Sequence, residues 1–69
     1  MANQRQIIVK IAVAISDWRI SGDYTRGLIE MASLVLGRDE QAIIAAARGI
    51  LEEKLDKREI DERLKKLSQ

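Results

Sequence analysis

Neither a cysteine nor a histidine occurs in this 69-residue chain, and this pair of absences constrains its folding more than any motif does. A domain this short buries only about 60% of the surface that its unfolded form exposes. Small folds therefore usually lean on disulfides, a structural metal or a partner subunit. Without thiols, disulfides and thiolate metal sites are excluded. Without imidazole, the commonest zinc ligand and the usual general base are missing too. What remains is apolar packing, within one copy or between copies.

The apolar residues are arranged for helices. They make up 46% of the chain, too many for a disordered segment. Aromatics are confined to Trp18 and Tyr24, so Ile, Leu, Val and Ala must fill the core. In the first segment, about residues 3–20, Ile7, Ile8, Ile11, Ala14, Ile15 and Trp18 share one helical face. That stripe predicts Trp18 in the core beside Ile11 and Ile15. A strand is the competing reading, because Ile7, Val9, Ile11, Val13 and Ile15 alternate and β-branched residues favour strands. Alternation would leave Ile8, Ala12 and Ala14 on the polar side, so the helix is preferred. Val9, Val13 and Ile20 then form a second, weaker apolar stripe.

Ser21-Gly22-Asp23 breaks this pattern, with Gly22 as a stop and Asp23 as the expected N-cap of a second helix at about 24–36. Its expected core face is Tyr24, Leu28, Met31, Ala32 and Val35, widened by Ile29 and Leu36, with Leu34 outside. Gly37 ends it. Asp39 is the expected cap of a third helix at about 40–55. Ile43, Ile44, Ala47, Ile50, Leu51 and Leu55 cover one side, and Ala42, Ala45, Ala46 and Gly49 an adjacent small-residue side. A helix apolar over most of its circumference is expected at the centre of the fold.

Beyond Leu55 the apolar stripe changes phase. Continued at 3.6 residues per turn, the third helix would carry Ile60, Leu64 and Leu67 about half a turn away from Leu51 and Leu55. A new start resolves the conflict. Asp56-Lys57-Arg58-Glu59 is close to a capping box, and Leu55 and Ile60 are spaced as a hydrophobic staple. The sequence thus predicts a fourth helix at about 57–67, the alternative being one long helix with a charged tail. The expectation is an all-α single domain over residues 1–69, a small three- or four-helix assembly completed by dimerisation.

No group of residues points to catalysis. Glu52–Glu53 and Asp61–Glu62 are adjacent pairs that share no helical face well, and Arg58, Arg63 and Lys66 surround Glu59 and Glu62. A solvated, ion-paired face explains them better than a general acid in a cleft. The oxygen-ligand ladder of an EF-hand and the Gly-Lys-Ser/Thr of a phosphate loop are both missing. Ser16, Ser21 and Ser33 have no histidine to activate them. The chain reads as a non-enzyme with no cofactor and no metal.

Nucleic-acid binding is the alternative function. Twelve basic and eleven acidic side chains leave a formal charge of +1, which gives no global attraction to phosphates. If the second and third helices formed a helix-turn-helix, the recognition helix would open with Asp39 and Glu40, which repel phosphate. The basic cluster Lys57, Arg58, Arg63, Lys65 and Lys66 is diluted by Asp56, Glu59, Asp61 and Glu62. The N-terminal run has no secretory pattern, no stretch reaches the roughly 20 apolar residues of a membrane span, and a cytoplasmic location is expected. The reading is a non-enzymatic protein-interaction module acting as a homodimer, with another protein as a further possible partner. Its candidate interface is Val9, Val13, Ala42, Ala46 and Gly49. A small nucleic-acid-binding regulator is the alternative.

Overall fold

A computed structural model describes residues 3–67, and all four expected helices are present, with no strand among the described residues. The side chain of Lys66, counted above in the basic cluster, lies outside the described residues. Helix α1 spans Gln4–Ser16, α2 Gly22–Leu36, α3 Glu40–Leu51 and α4 Lys57–Leu67. The chain is all-α.

α1 starts with a reciprocal cap. The Gln6 N–H donates to Asn3 Oδ1 at 2.8 Å, and the Asn3 N–H donates to Gln6 Oε1 at 3.1 Å, which satisfies two of the amides a helix start leaves open. The helix ends at Ser16, four residues earlier than the apolar stripe predicts. Asp17 is the reason. Its carboxylate accepts the Arg19 N–H and pairs with the Arg19 guanidinium through two bonds of 3.0 Å, while Ile20 N–H donates to the Asp17 carbonyl. Such local side-chain bonds offer the backbone an alternative to the helix. The turn carries Trp18 outward, leaving it 77% exposed. The expected burial of Trp18 beside Ile11 and Ile15 is therefore corrected.

Ser21, not Asp23, caps α2: its hydroxyl accepts the Tyr24 N–H at 3.2 Å. Asp23 instead sits in the first turn, where a carboxylate favours the helix dipole. Gly37 closes α2 at φ 64°, ψ 33°, a left-handed conformation that glycine adopts without a Cβ clash. Asp39 occupies the N-cap position of α3 but makes no side-chain cap bond, and Glu40 supplies the acidic first turn. α3 stops at Leu51 rather than at residue 55. Lys54 and Leu55 N–H groups both donate to the Leu51 carbonyl, turning the chain towards α4. The Asp56 carboxylate accepts the Arg58 N–H at 3.0 Å, and Ile60 N–H donates to the Asp56 carbonyl. The fourth helix thus begins where the phase change predicts.

One core joins all four helices: Ile8, Ile11, Ala12 and Ile15 of α1, Ile29 and Ala32 of α2, Ile43, Ala47 and Leu51 of α3, and Ile60 of α4. α1 packs against each of the other three, and α2 against α3 and α4. α1 and α2 thus each meet the other three helices, and α1 supplies the largest share of buried side chains among the described residues, so α1 rather than α3 is the central helix. The alanines that make α3 look apolar all round cost little when exposed, and Ala45 and Gly49 face solvent. Polar ties join the outer helices. Arg48 of α3 pairs with Glu52 at 3.0 Å and with Asp61 of α4 at 2.5 Å. The Arg26 guanidinium of α2 donates to the Leu67 carbonyl at the end of α4.

Candidate functional site

α2 has two apolar faces, and the core takes the less obvious one. Thr25, Ile29 and Ala32 point inward. Thr25 can be buried because its hydroxyl donates to the Ser21 carbonyl at 3.2 Å, so no polar atom is left unpaired. The helix is thereby rotated away from the expected face. Of the five residues expected to line the core, only Ala32 is buried and Leu28 is half-buried. Tyr24, Met31 and Val35 are 54%, 59% and 67% exposed, and Leu34 beside them is 86% exposed.

These side chains form a continuous strip. At 3.6 residues per turn, Tyr24, Leu28, Met31 and Val35 lie along one line of α2, with Gly27 and Leu34 next to it. On the α1 side the strip descends into an open groove of about 440 Å³, walled by Ile7 and Ile11 of α1 and by Leu28, Met31 and Val35 of α2. Exposed Lys10 stands at this groove. On the opposite side of α2, Glu30 lines a different groove together with Ile44 and Leu64.

No protein-family model matches the chain, nor does any curated protein or solved structure.

The residues singled out from the sequence lie on other surfaces. Val9 and Val13 of α1 are exposed, Val13 more than half. On α3, Ala42 and Ala46 are half-buried and Gly49 is exposed. Ala46 lines a groove with Ile8 and Ile50, flanked by Arg5 and Arg38. A Cβ added at Gly49 would meet nothing within 4 Å, so α3 is open at that position. The α2 strip offers larger side chains than these positions. Sequence reasoning missed it because it assigned those same side chains to the core. The signal that could have found it is the width of the apolar arc on α2, which exceeds what one neighbouring layer can cover.

Asp17 is held below the usual carboxylate range, first by the hydrogen bond from the Arg19 side chain and then by the Arg19 N–H. Both groups sit at the exposed α1–α2 turn. No set of three or more acidic, histidine or cysteine side chains is grouped to hold a metal ion among the described residues. No helix among the described residues is long and apolar enough to cross a membrane.

Proposed function

We propose that this chain is a non-enzymatic protein-interaction module that works by self-association, with the exposed strip of α2 as its contact surface. The observation that carries the reading is the run Tyr24, Met31, Leu34 and Val35, exposed along α2 with half-buried Leu28 among them, beside an apolar groove. The exposed parts of Tyr24, Met31, Leu34 and Val35 amount to about 500 Å², near the top of what a typical monomer leaves uncovered. A standard interface covers about 800 Å² per partner. The strip plus the groove rim at Ile7, Gln6 and Lys10 approaches that size. The candidates Val9, Val13, Ala42, Ala46 and Gly49 are the second surface to test, and a cytosolic location is part of the same proposal.

Sedimentation equilibrium of the pure chain tests it. Dimers at micromolar concentration are expected, with a melting temperature that rises with concentration, because association stabilises by mass action. Met31→Glu should produce monomers by placing a charge in the contact, whereas Ala46→Glu should not. The reverse order would move the interface to α3. A wild type that sediments as a monomer, with one melting temperature over roughly a hundredfold dilution, would overturn self-association. A retarded nucleic-acid probe, released steeply by salt, would favour the nucleic-acid reading instead.

A further inference from the structure

Resting on the self-association reading, we propose that α2 pairs in parallel with α2 of a second copy, about a two-fold axis running along both helices, so that Lys10 of each copy meets Glu30 of the other. The strip repeats every seven residues: Tyr24 and Met31, Gly27 and Leu34, Leu28 and Val35. This is the a, d, e pattern of a helix seam, and Asp23 and Glu30 fall at the flanking g position. The e side, Leu28 and Val35, borders α1 and its Lys10. The g side borders the groove where Glu30 lies. Glu30 shares that groove with Glu40, Arg26 and Arg48, but Arg26 donates to the Leu67 carbonyl and Arg48 pairs with Glu52 and Asp61, so Lys10 on one side and Asp23 and Glu30 on the other flank one apolar seam.

Their heights match as well. α1 and α2 run antiparallel, since Ala14 and Ile15 lie beside Gly22 and Thr25, while Ile7 reaches Val35. Lys10 shares its groove with Met31, which puts it level with Glu30. Symmetry then decides the orientation. A two-fold axis across the helices would pair them antiparallel and set each flank against its own copy, Lys10 against Lys10 and Glu30 against Glu30. An axis along the helices sets each flank against the opposite one and gives two Lys10–Glu30 pairs. Like charges in register disfavour association and opposite charges steer it. Neither Lys10 nor Glu30 is held in an ion pair with any described residue. The parallel arrangement also sets Leu34 of one copy at the mouth of the other's α1–α2 groove. Gly27, whose Cβ position is open within 4 Å, allows close approach in the seam.

The chain lacks cysteine, so single-cysteine variants report geometry cleanly. In the parallel pair Leu34 faces its own counterpart, and Leu34→Cys should form a disulfide-linked dimer on mild oxidation. In an antiparallel pair centred on the strip, residue 34 would lie opposite residue 25, so the two copies of residue 34 would sit about 13 Å apart along the axis. That exceeds the roughly 7 Å limit for a disulfide. Charge reversal supplies a second readout that leaves Leu34 in place. Lys10→Glu and Glu30→Lys should each weaken the dimer on the order of tenfold, and the double variant should restore it. A sedimenting dimer whose Leu34→Cys form does not cross-link, or whose double variant is as weak as the singles, would overturn the parallel pairing and leave self-association standing. A monomer at every concentration would overturn both.

Discussion

Ile60 is the residue on which the attachment of α4 depends. It is 0% exposed and, among the described residues, is the one α4 side chain in the buried core, with Leu64 and Leu67 only half-buried around it. Ile60→Ala removes three buried carbons, a transfer loss of about 2.4 kcal/mol at about 0.8 kcal/mol per methylene. Incomplete closure of the hole raises the total to about 3–4 kcal/mol. Domains are stable by about 0.05–0.15 kcal/mol per residue, so a chain of this length has roughly 3–10 kcal/mol in all. The variant should therefore lose between about a third and all of that stability, whereas Ile60→Val should lose only about 1 kcal/mol. Urea denaturation followed by far-ultraviolet circular dichroism measures both, and amide exchange across Lys57–Leu67 shows where the loss falls. If Ile60→Ala loses less than about 1 kcal/mol and exchange in α4 is unchanged, α4 is not anchored through Ile60.

Three further outcomes test other joints of the fold. Trp18→Ala should change stability by no more than about 0.5 kcal/mol, as expected for an exposed side chain, and a blue-shifted native tryptophan spectrum would contradict its exposure. Gly49→Ala should stabilise the monomer by about 0.5–1 kcal/mol, since a methyl group has room there and helix propensity improves; a loss instead would mean that another helix lies against α3. Asp17 has a depressed pKa in the folded chain, so its contribution is present above the ordinary aspartate value of about 3.9 and fades as pH falls through the lower folded value. Asp17→Asn should accordingly be less stable than wild type near neutrality, with the difference shrinking as pH falls below the ordinary aspartate range, and a difference that stays constant on acidification would rule out the Asp17–Arg19 pair as its source.

The separate start of α4 was legible because two signals agreed: a phase jump in the apolar stripe and a capping residue, Asp56, at the jump. The end of α1 was not. Trp18 lies three residues after Ile15 and extends the stripe on paper, whereas the bonds between Asp17 and Arg19 depend on rotamers that no stripe reveals. The choice of face on α2 was hidden for a related reason. Hydropathy ranks Met31 and Val35 above Thr25, but Thr25 loses its penalty once its hydroxyl finds the Ser21 carbonyl. Counting apolar residues around α3 overstated its burial, because alanine and glycine remove little surface wherever they are placed. The strip on α2 was therefore in view in the sequence but assigned to the core.

Six of the buried side chains are isoleucines: Ile8, Ile11, Ile15, Ile29, Ile43 and Ile60. Branching at Cβ leaves isoleucine one strongly preferred χ1 rotamer in a helix, so it enters the core with little freedom left to lose. Burying it costs about 0.5–1 kcal/mol of side-chain entropy, against about 1.5–2 for methionine. A chain without cysteine thus saves several kcal/mol, relative to methionine, by filling its centre with stiff side chains. The same stiffness makes the centre discriminating. A set of leucines or methionines of equal volume would still collapse, but with many interconvertible arrangements, and would lose a single ordered packing before it lost compactness.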